Sequence, residues 1–168
     1  MAGRATLILW AMLAALMATA PAAHAEMGEV SGLPVPRFVS LAAEVANLRV
    51  GPRRSYDVVA IYRRRGLPLQ VVGEFANWRE VVDFEGERGW MHASLLSGRR
   101  TVMVAGEPAV LRRAARADAP AIARLAPGVV ADVVSCEPDA PWCFVEVAGR
   151  RGWLARAGLW GVGSAPTS

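Results

Sequence analysis

RGWMHASLLSG, at residues 88–98, and RGWLARAGLWG, at residues 151–161, are two versions of one eleven-residue phrase. Arg, Gly, Trp, Leu and Gly stand at the same relative places in both, and the two phrases lie 63 residues apart. A true internal repeat aligns along its whole length and is interrupted only in loops. The recurrence therefore predicts two copies of one small domain, provided that the alignment continues outside the phrase.

The alignment does continue toward the N-terminal end of each copy. Matched positions stay 62 to 64 residues apart, and they include Leu48-Arg49 with Leu111-Arg112, Gly66 with Gly128, Val71-Val72 with Val133-Val134, and Trp78 with Trp142. The spacing drifts only in segments rich in turn residues. This pattern is typical of a duplication whose copies have diverged in their loops.

Within each copy, short β-branched and apolar runs alternate with Gly, Pro, Asn and Asp, and no helical period is present. We therefore expect an all-β protein with two tandem small β-barrels of about five strands each, since closure removes exposed strand edges. The predicted barrels are residues 44–98 and 107–161. An N-terminal segment (26–43), a connector (99–106) and a tail (162–168) complete the chain.

Residues 1–25 have the features of a secretory signal. One basic residue precedes an apolar run over 5–20, and a proline and an A-x-A cleavage site ending at Ala25 follow it. The alternative is an uncleaved membrane anchor, but the run is shorter than the roughly 20 residues that span a bilayer and lacks a basic flank. We expect cleavage near Ala25, a periplasmic or secreted protein, and no stable membrane anchor afterwards.

The charge of the chain is modestly positive. There are 19 basic and 15 acidic residues, and every basic residue is arginine. Cleavage of the signal would remove one arginine and leave 18 against 15, a formal charge of +3. An excess of this size supports only weak attraction to anionic polymers. We therefore expect no nucleic-acid partner.

Candidate catalytic and metal-binding residues are few. His92 is the only histidine after residue 25, and a single imidazole without partners at a known spacing does not build a metal site. Ser94 has no base beside it in the sequence that would activate its hydroxyl. We therefore predict no enzyme activity, no cofactor and no metal site.

The two cysteines, Cys136 and Cys143, flank the turn-like sequence EPDAPW. Disulfides persist in the oxidising compartments that exported proteins reach. Antiparallel strands on either side of the turn would bring the two Cα atoms within the roughly 4.4 to 6.8 Å that a disulfide requires. A redox-active pair or a nucleophile is the alternative, but the spacing is not C-x-x-C. We predict a structural disulfide.

Several motifs together resemble the bacterial SH3 (SH3b) domains. They are NLRVGP at 47–52, the glycine turn at Gly66 before a Val-rich strand, and NWREVVDFEGERGWMHASLL at 77–96, with their counterparts in the second copy. The arrangement is closest to the exported two-copy proteins of proteobacteria. The resemblance implies SH3-like barrels and a non-catalytic binding role in the cell envelope, toward peptidoglycan or an envelope protein.

The chain departs from SH3 domains that bind proline-rich peptides. Those domains supply Pro and Tyr after the Gly-aromatic pair, whereas residues 92–95 and 155–158 contain neither. Polyproline recognition is therefore not expected. The second copy also reads VLRRAA where the first has NLRVGP. The first copy is thus the better candidate for binding.

The tryptophans are the candidate binding residues. Side chains alternate between the two faces of a strand. If Val81 fills the core, Trp78, three residues away, points outward. If Met91 points inward, its neighbour Trp90 likewise points outward. The predicted ligand site consists of Trp78, Trp90, Arg49 and Tyr56, with Trp142 and Trp153 of the second copy as secondary candidates. The alternative is a structural or regulatory protein whose two barrels pack rigidly, with the tryptophans in the seam between them.

Overall fold

The computed structural model describes residues 26–163, which form an all-β protein with one 3-10 turn of three residues. The predicted fold class is confirmed: two seven-stranded sheets follow each other along the chain. The predicted signal (1–25) and most of the predicted tail (164–168) lie outside the described residues. No helix within 26–163 has the length and apolar character needed to cross a membrane.

The described chain begins with a short hairpin and continues into the first sheet. The hairpin pairs β1 (Glu26–Met27) with β2 (Pro34–Val35). The first sheet contains β3 (Arg37–Leu41), β4 (Ala46–Arg49), β5 (Val58–Tyr62), β6 (Pro68–Phe75), β7 (Trp78–Val82), β8 (Arg88–His92) and, after the 3-10 turn Ala93–Leu95, β9 (Leu96–Ser97). Its antiparallel strands are ordered β5-β4-β8-β7-β6-β3-β9.

The second sheet repeats the first strand for strand. It contains β10 (Thr101–Val104), β11 (Ala109–Arg112), β12 (Ala121–Leu125), β13 (Val130–Ser135), β14 (Trp142–Val147), β15 (Arg150–Ala155) and β16 (Leu159–Trp160). Its order, β12-β11-β15-β14-β13-β10-β16, is the first order shifted by seven strand numbers. The identical topology agrees with the duplication inferred from the sequence.

Each sheet has seven strands where the sequence led us to expect about five. The additional strands are a first strand, β3 or β10, and a final two-residue strand, β9 or β16. The first strands extend the sheets because they pair along β6 and β13, respectively. Strands β3 and β10 lie in the stretches that the sequence had assigned to the N-terminal segment and the connector.

The repeated Gly-Trp pair marks a close approach between two strands. A Cβ atom at Gly89 would lie 2.7 Å from the backbone oxygen of Arg49, and one at Gly152 would lie 2.7 Å from that of Arg112. No larger residue fits there without moving backbone, so β4 and β11 can cross β8 and β15 only at a glycine. The following residues, Trp90 and Trp153, are therefore held beside the crossing.

The two copies pack against each other along a seam. There, a side chain of the second copy enters the core of the first. Met103 on β10 is 2% exposed and belongs to the core that contains Leu69, Val71 and Met91. The Thr101 hydroxyl donates to the Gly66 carbonyl at 2.7 Å. The seam therefore combines apolar packing with hydrogen bonds, and it joins the two sheets into one unit.

Trp160 on β16 is the tryptophan that contacts the other copy across this seam. Its indole N–H donates to the Pro68 carbonyl at 3.1 Å, and its ring meets Phe38 edge to face, with centroids 5.2 Å apart. In the two versions of the repeated phrase, Trp160 stands where the first copy has Ser97. A tryptophan present in only one copy is thus used for contact between the copies.

A buried carboxylate fixes the N-terminal hairpin to the first sheet. The Glu74 side chain is 2% exposed and pairs with Arg37 at 2.8 Å and with Arg79 at 3.2 Å. It also accepts hydrogen bonds from the backbone N–H groups of Val30 and Ser31 and from the Ser31 hydroxyl. Burial acts to raise the pKa of Glu74, but the Ser31 and Arg37 hydrogen bonds and the Arg79 charge outweigh it and lower the pKa to about 2.

The predicted disulfide is confirmed. Cys136 and Cys143 are bonded, with Cα atoms 4.4 Å apart, and the bridge closes the loop between β13 and β14. Both residues are buried in the second core, and no free cysteine exists in the described chain. The bridge therefore forms part of the second core.

We predict that exported protein has no reactive thiol when it is titrated under denaturing conditions without a reductant. The Cys136→Ser/Cys143→Ser variant should remain folded and lose at most about 2 kcal/mol of unfolding free energy, because the closed loop is short. Urea denaturation of the two proteins measures this loss. Two titratable thiols in the exported wild type would contradict the prediction.

The seam predicts that the two copies unfold together. Met103→Ala should lower the free energy of unfolding by about 2 to 5 kcal/mol, because it leaves a cavity in the first core although the residue belongs to the second sheet. Differential scanning calorimetry should show one transition for the wild type and one at lower temperature for the variant. Two separate transitions in the wild type would contradict a shared cooperative unit.

The low pKa of Glu74 predicts an acid-sensitive hairpin. Because the folded-state pKa of about 2 lies below the ordinary value of 4.5, the stabilisation is complete above pH 4.5 and is lost as the pH falls toward 2. Hydrogen exchange of the Ser31 and Gly32 amides, corrected for intrinsic rates, should accelerate through this window. Glu74→Gln should lose this pH dependence, whereas the more exposed Glu80→Gln should keep it.

Candidate functional site

The outward face of β7 and β8 brings the two first-copy tryptophans onto one surface. The strand register places Trp78 opposite His92 and Glu80 opposite Trp90. On the other side of β8, Arg49 lies opposite Trp90. We call these five residues the tryptophan face. Both tryptophans are half-buried, whereas Val81 and Met91 on the inward side are at most 1% exposed, as strand alternation predicts.

A cleft of about 410 Å³ opens beside Trp78. Its walls include Asn47, Arg49, Arg54, Trp78 and His92. The Trp78 ring meets the His92 ring edge to face, with centroids 5.4 Å apart. The cleft thus joins an aromatic surface to two guanidinium groups, an arrangement suited to noncovalent recognition of a ligand that carries carboxylates.

Arg49 forms part of the cleft wall and also holds the adjacent loop. Its guanidinium donates to the Tyr56 carbonyl at 2.7 Å, and Arg112 makes the equivalent bond to the Ala119 carbonyl at 2.8 Å. The exposed Tyr56 ring covers Gly51, where a Cβ atom would lie 2.7 Å from the ring. Arg49 therefore positions the loop that carries Tyr56.

The structure brings together only part of the predicted ligand site. Trp78 and Arg49 line the cleft, but Trp90 and Tyr56 do not. Trp90 is a neighbour of Arg49 through the β4–β8 pairing, and Tyr56 touches Arg49 through its backbone oxygen. The cleft residues Asn47 and Arg54 were not in the predicted set. The sequence feature that could have indicated Asn47 and Arg54 is their position in NLRVGPRR (47–54), the stretch that contains the predicted Arg49.

Ser94 does have a base within hydrogen-bonding distance, contrary to what the sequence suggested. The Nδ1 atom of His92 lies 2.8 Å from the Ser94 hydroxyl oxygen and also accepts the Ser94 N–H at 3.3 Å. These bonds cap the 3-10 turn at Ala93–Leu95. No carboxylate orients the imidazole among the hydrogen bonds of the described residues, so the geometry is that of a turn cap.

Two acidic residues of the first copy, Asp83 and Glu80, make specific side-chain contacts. Asp83 is 4% exposed and accepts the Tyr62 hydroxyl at 2.8 Å and the backbone N–H groups of Glu85 and Glu87. Burial and the Asp83 carboxylate raise the pKa of Tyr62 well above its ordinary value. Glu80 forms a two-pronged ion pair with Arg88. Residues 26–163 contain no cluster of three metal-ligating side chains.

Comparison with known families gives two matches, one for each copy. The model described as "Bacterial SH3 domain" matches residues 42–98 and again 105–161. The chain belongs to the bacterial SH3 domain family. Tandem bacterial SH3 domains of this kind suggest a binding module. The disulfide together with this domain type fits an extracytoplasmic protein.

Among solved structures, the bacterial SH3 pair is similar to NlpC2 and NlpC1 from Trichomonas vaginalis. The first match has 9% identity and a TM-score of 0.34, and it covers 75% of this chain and 48% of that one. The second has 8% identity and a TM-score of 0.34, and it covers 79% and 48%. The chain thus spans about half the length of either structure. A search of curated proteins found no significant match.

The second bacterial SH3 copy has a different outward face. Trp142 lies opposite Ala155, and Trp153 lies opposite Phe144, so Ala155 and Phe144 replace His92 and Glu80 of the first copy. The Phe144 and Trp153 rings pack with centroids 5.1 Å apart. Both tryptophans are half-buried. This face is more apolar than the tryptophan face because it lacks the histidine and the acidic residue.

Proposed function

We propose that the protein is a non-catalytic binding module of the cell envelope, which recognises peptidoglycan or an envelope protein through the tryptophan face of the first bacterial SH3 copy. The observation that carries this proposal is the cleft that joins Trp78 to Arg49, Arg54 and His92. Bacterial SH3 domains often bind cell-wall components. The signal cleaved near Ala25, with a periplasmic or secreted location, is part of the same proposal.

The chemistry of the cleft supports a ligand with carboxylates and extended nonpolar surfaces. Peptidoglycan carries carboxylates on its stem peptides, and a guanidinium binds a carboxylate through paired hydrogen bonds. Trp78 and Trp90 are half-buried, and tryptophans that become buried in an interface are among the residues that dominate binding energy. We therefore assign Trp78 and Trp90 as contact surfaces, Arg49 and Tyr56 as the adjoining polar contacts, and Trp142 and Trp153 as secondary contacts.

A second candidate function is a structural or regulatory partner protein whose two copies pack rigidly. The seam around Met103 and Trp160 favours this candidate, because it joins the copies through core packing and hydrogen bonds. The tryptophan that reaches across the seam is Trp160, which leaves the four matched tryptophans available for other contacts. A rigid seam is also compatible with binding through the first copy.

We predict that Trp78→Ala and Trp90→Ala weaken sedimentation of the mature protein with purified sacculi. Loss of a tryptophan anchor should cost about 2 kcal/mol or more, which corresponds to about thirtyfold in affinity. The matched control is Trp142→Ala, the same position in the second copy, which should weaken binding less. Sedimentation is compared with and without added envelope proteins, which separates the two classes of partner.

Thermal midpoints decide how the sedimentation result is interpreted. Trp78→Ala and Trp90→Ala should keep the midpoint within a few degrees of the wild type, since both side chains lie outside the core clusters. Trp160→Ala should lower the midpoint while sedimentation persists. A wild-type protein that binds neither sacculi nor an envelope protein would refute the proposal and favour the structural role.

A further inference from the structure

A second cavity lies where three segments distant in sequence meet. Its walls come from the N-terminal hairpin, from the first copy and the residues that follow β9, and from the chain that follows β16. The volume is about 390 Å³, within the range of small-molecule sites. Most of its wall is apolar and includes Leu33, Pro34, Phe38, Val39, Val71 and Leu96. We call it the hairpin cavity. It shares no lining residue with the cleft beside Trp78.

Three arginines line this apolar space. Arg37 and Arg79 are each 12% exposed, and both pair with Glu74. Arg100 is half-buried, and its guanidinium makes no hydrogen bond or ion pair with any other residue in 26–163. Its neighbour Arg99, in contrast, pairs with Asp132. The cavity therefore presents one guanidinium group that has no hydrogen-bond or ion-pair partner among residues 26–163.

Glu74 cannot neutralise this group. Its carboxylate already accepts from two backbone N–H groups, one hydroxyl and the Arg37 guanidinium, and it forms an ion pair with Arg79. A carboxylate offers about four acceptor sites. Three arginines against one carboxylate leave two positive charges beside apolar walls. A partly buried charge is costly unless it is paired. An anion in the hairpin cavity would supply the missing partner.

We propose that the hairpin cavity binds a small amphiphile with an apolar body and a single carboxylate. The body packs against Phe38 and Leu96, and the carboxylate pairs with Arg100, since the planar guanidinium matches a carboxylate in a two-pronged hydrogen bond. A neutral apolar ligand would leave Arg100 unpaired, and an inorganic anion would leave the apolar walls unfilled. Two sources share this chemistry: an acyl chain with a free carboxylate and the apolar C-terminal residue of a peptide.

Gly98 offers a way to fill the cavity without disturbing the fold. It lines the cavity, it is exposed, and a Cβ atom there meets no atom within 4 Å. Its backbone does not adopt the left-handed conformation that only glycine tolerates well. We therefore expect Gly98→Leu to occlude the hairpin cavity, and Arg100→Gln removes the charge of Arg100. The exposed Arg63→Gln, outside the cavity, is the matched control for charge.

Isothermal titration calorimetry on the mature protein tests the proposal with decanoate and with N-acetyl-leucyl-leucine. At least one of these acids should bind saturably with one site per chain. The uncharged counterparts, decan-1-ol and the dipeptide amide, should bind at least about tenfold more weakly because Arg100 remains unpaired. Acetate should not bind measurably. Binding of decanoate alone identifies an acyl chain as the ligand class, and binding of the dipeptide alone identifies a peptide terminus.

The variants decide whether the acid occupies this cavity. Arg100→Gln should lose about tenfold or more in affinity, Gly98→Leu should lose saturable binding, and Arg63→Gln should bind as the wild type does. All three should retain the wild-type thermal midpoint and sedimentation with sacculi. The proposal fails if neither acid binds, if the uncharged analogues bind equally well, or if Gly98→Leu binds normally. Such a failure leaves the role of the tryptophan face untouched.

Discussion

The close approach of two strands at the glycine of each Gly-Trp pair determines the geometry of both copies. The backbone oxygens of Arg49 and Arg112 lie only 2.7 Å from where a Cβ atom of Gly89 or Gly152 would be. The absence of a side chain at the glycine lets β4 pair with β8 and β11 pair with β15 at this short distance. This contact also places the arginine beside the following tryptophan, so the same constraint that shapes the fold creates the outward face on which Trp90 and Arg49 meet.

Two buried contacts then join the parts of the molecule: one links the two sheets, and the other links the hairpin to the first sheet. Met103 places a side chain of the second sheet in the core of the first. Glu74 holds the N-terminal hairpin through three hydrogen-bond donors of Val30 and Ser31 and pairs with Arg37 and Arg79 of the first sheet. Small domains bury a limited fraction of their surface and are marginally stable alone. Sharing a core across the seam compensates for that limit. The disulfide gives the second copy an additional, covalent constraint.

Features of the fold that depend on local sequence patterns could be predicted. Contacts between residues distant in sequence could not. Strand alternation correctly placed Val81 and Met91 inside and the neighbouring tryptophans outside, because side-chain period depends only on adjacent residues. Strand β3 and the Glu74 cluster were missed because their partners lie about 30 to 45 residues away, a distance over which a single sequence carries no pairing signal. Trp160 could not be predicted for a related reason: it has no counterpart in the first copy, so no matched position in the repeat marks it.

The two copies have diverged at positions that do not maintain the sheet. Positions that maintain the sheet, such as the glycine and arginine of each strand crossing, are the same in both copies. Positions on the outward face differ: His92 and Glu80 in the first copy correspond to Ala155 and Phe144 in the second. The final strand differs as well, since Ser97 lines the hairpin cavity while Trp160 fills the seam. The first copy thus carries both the cleft and most of the hairpin cavity, whereas the second copy uses its final strand for contact with the first.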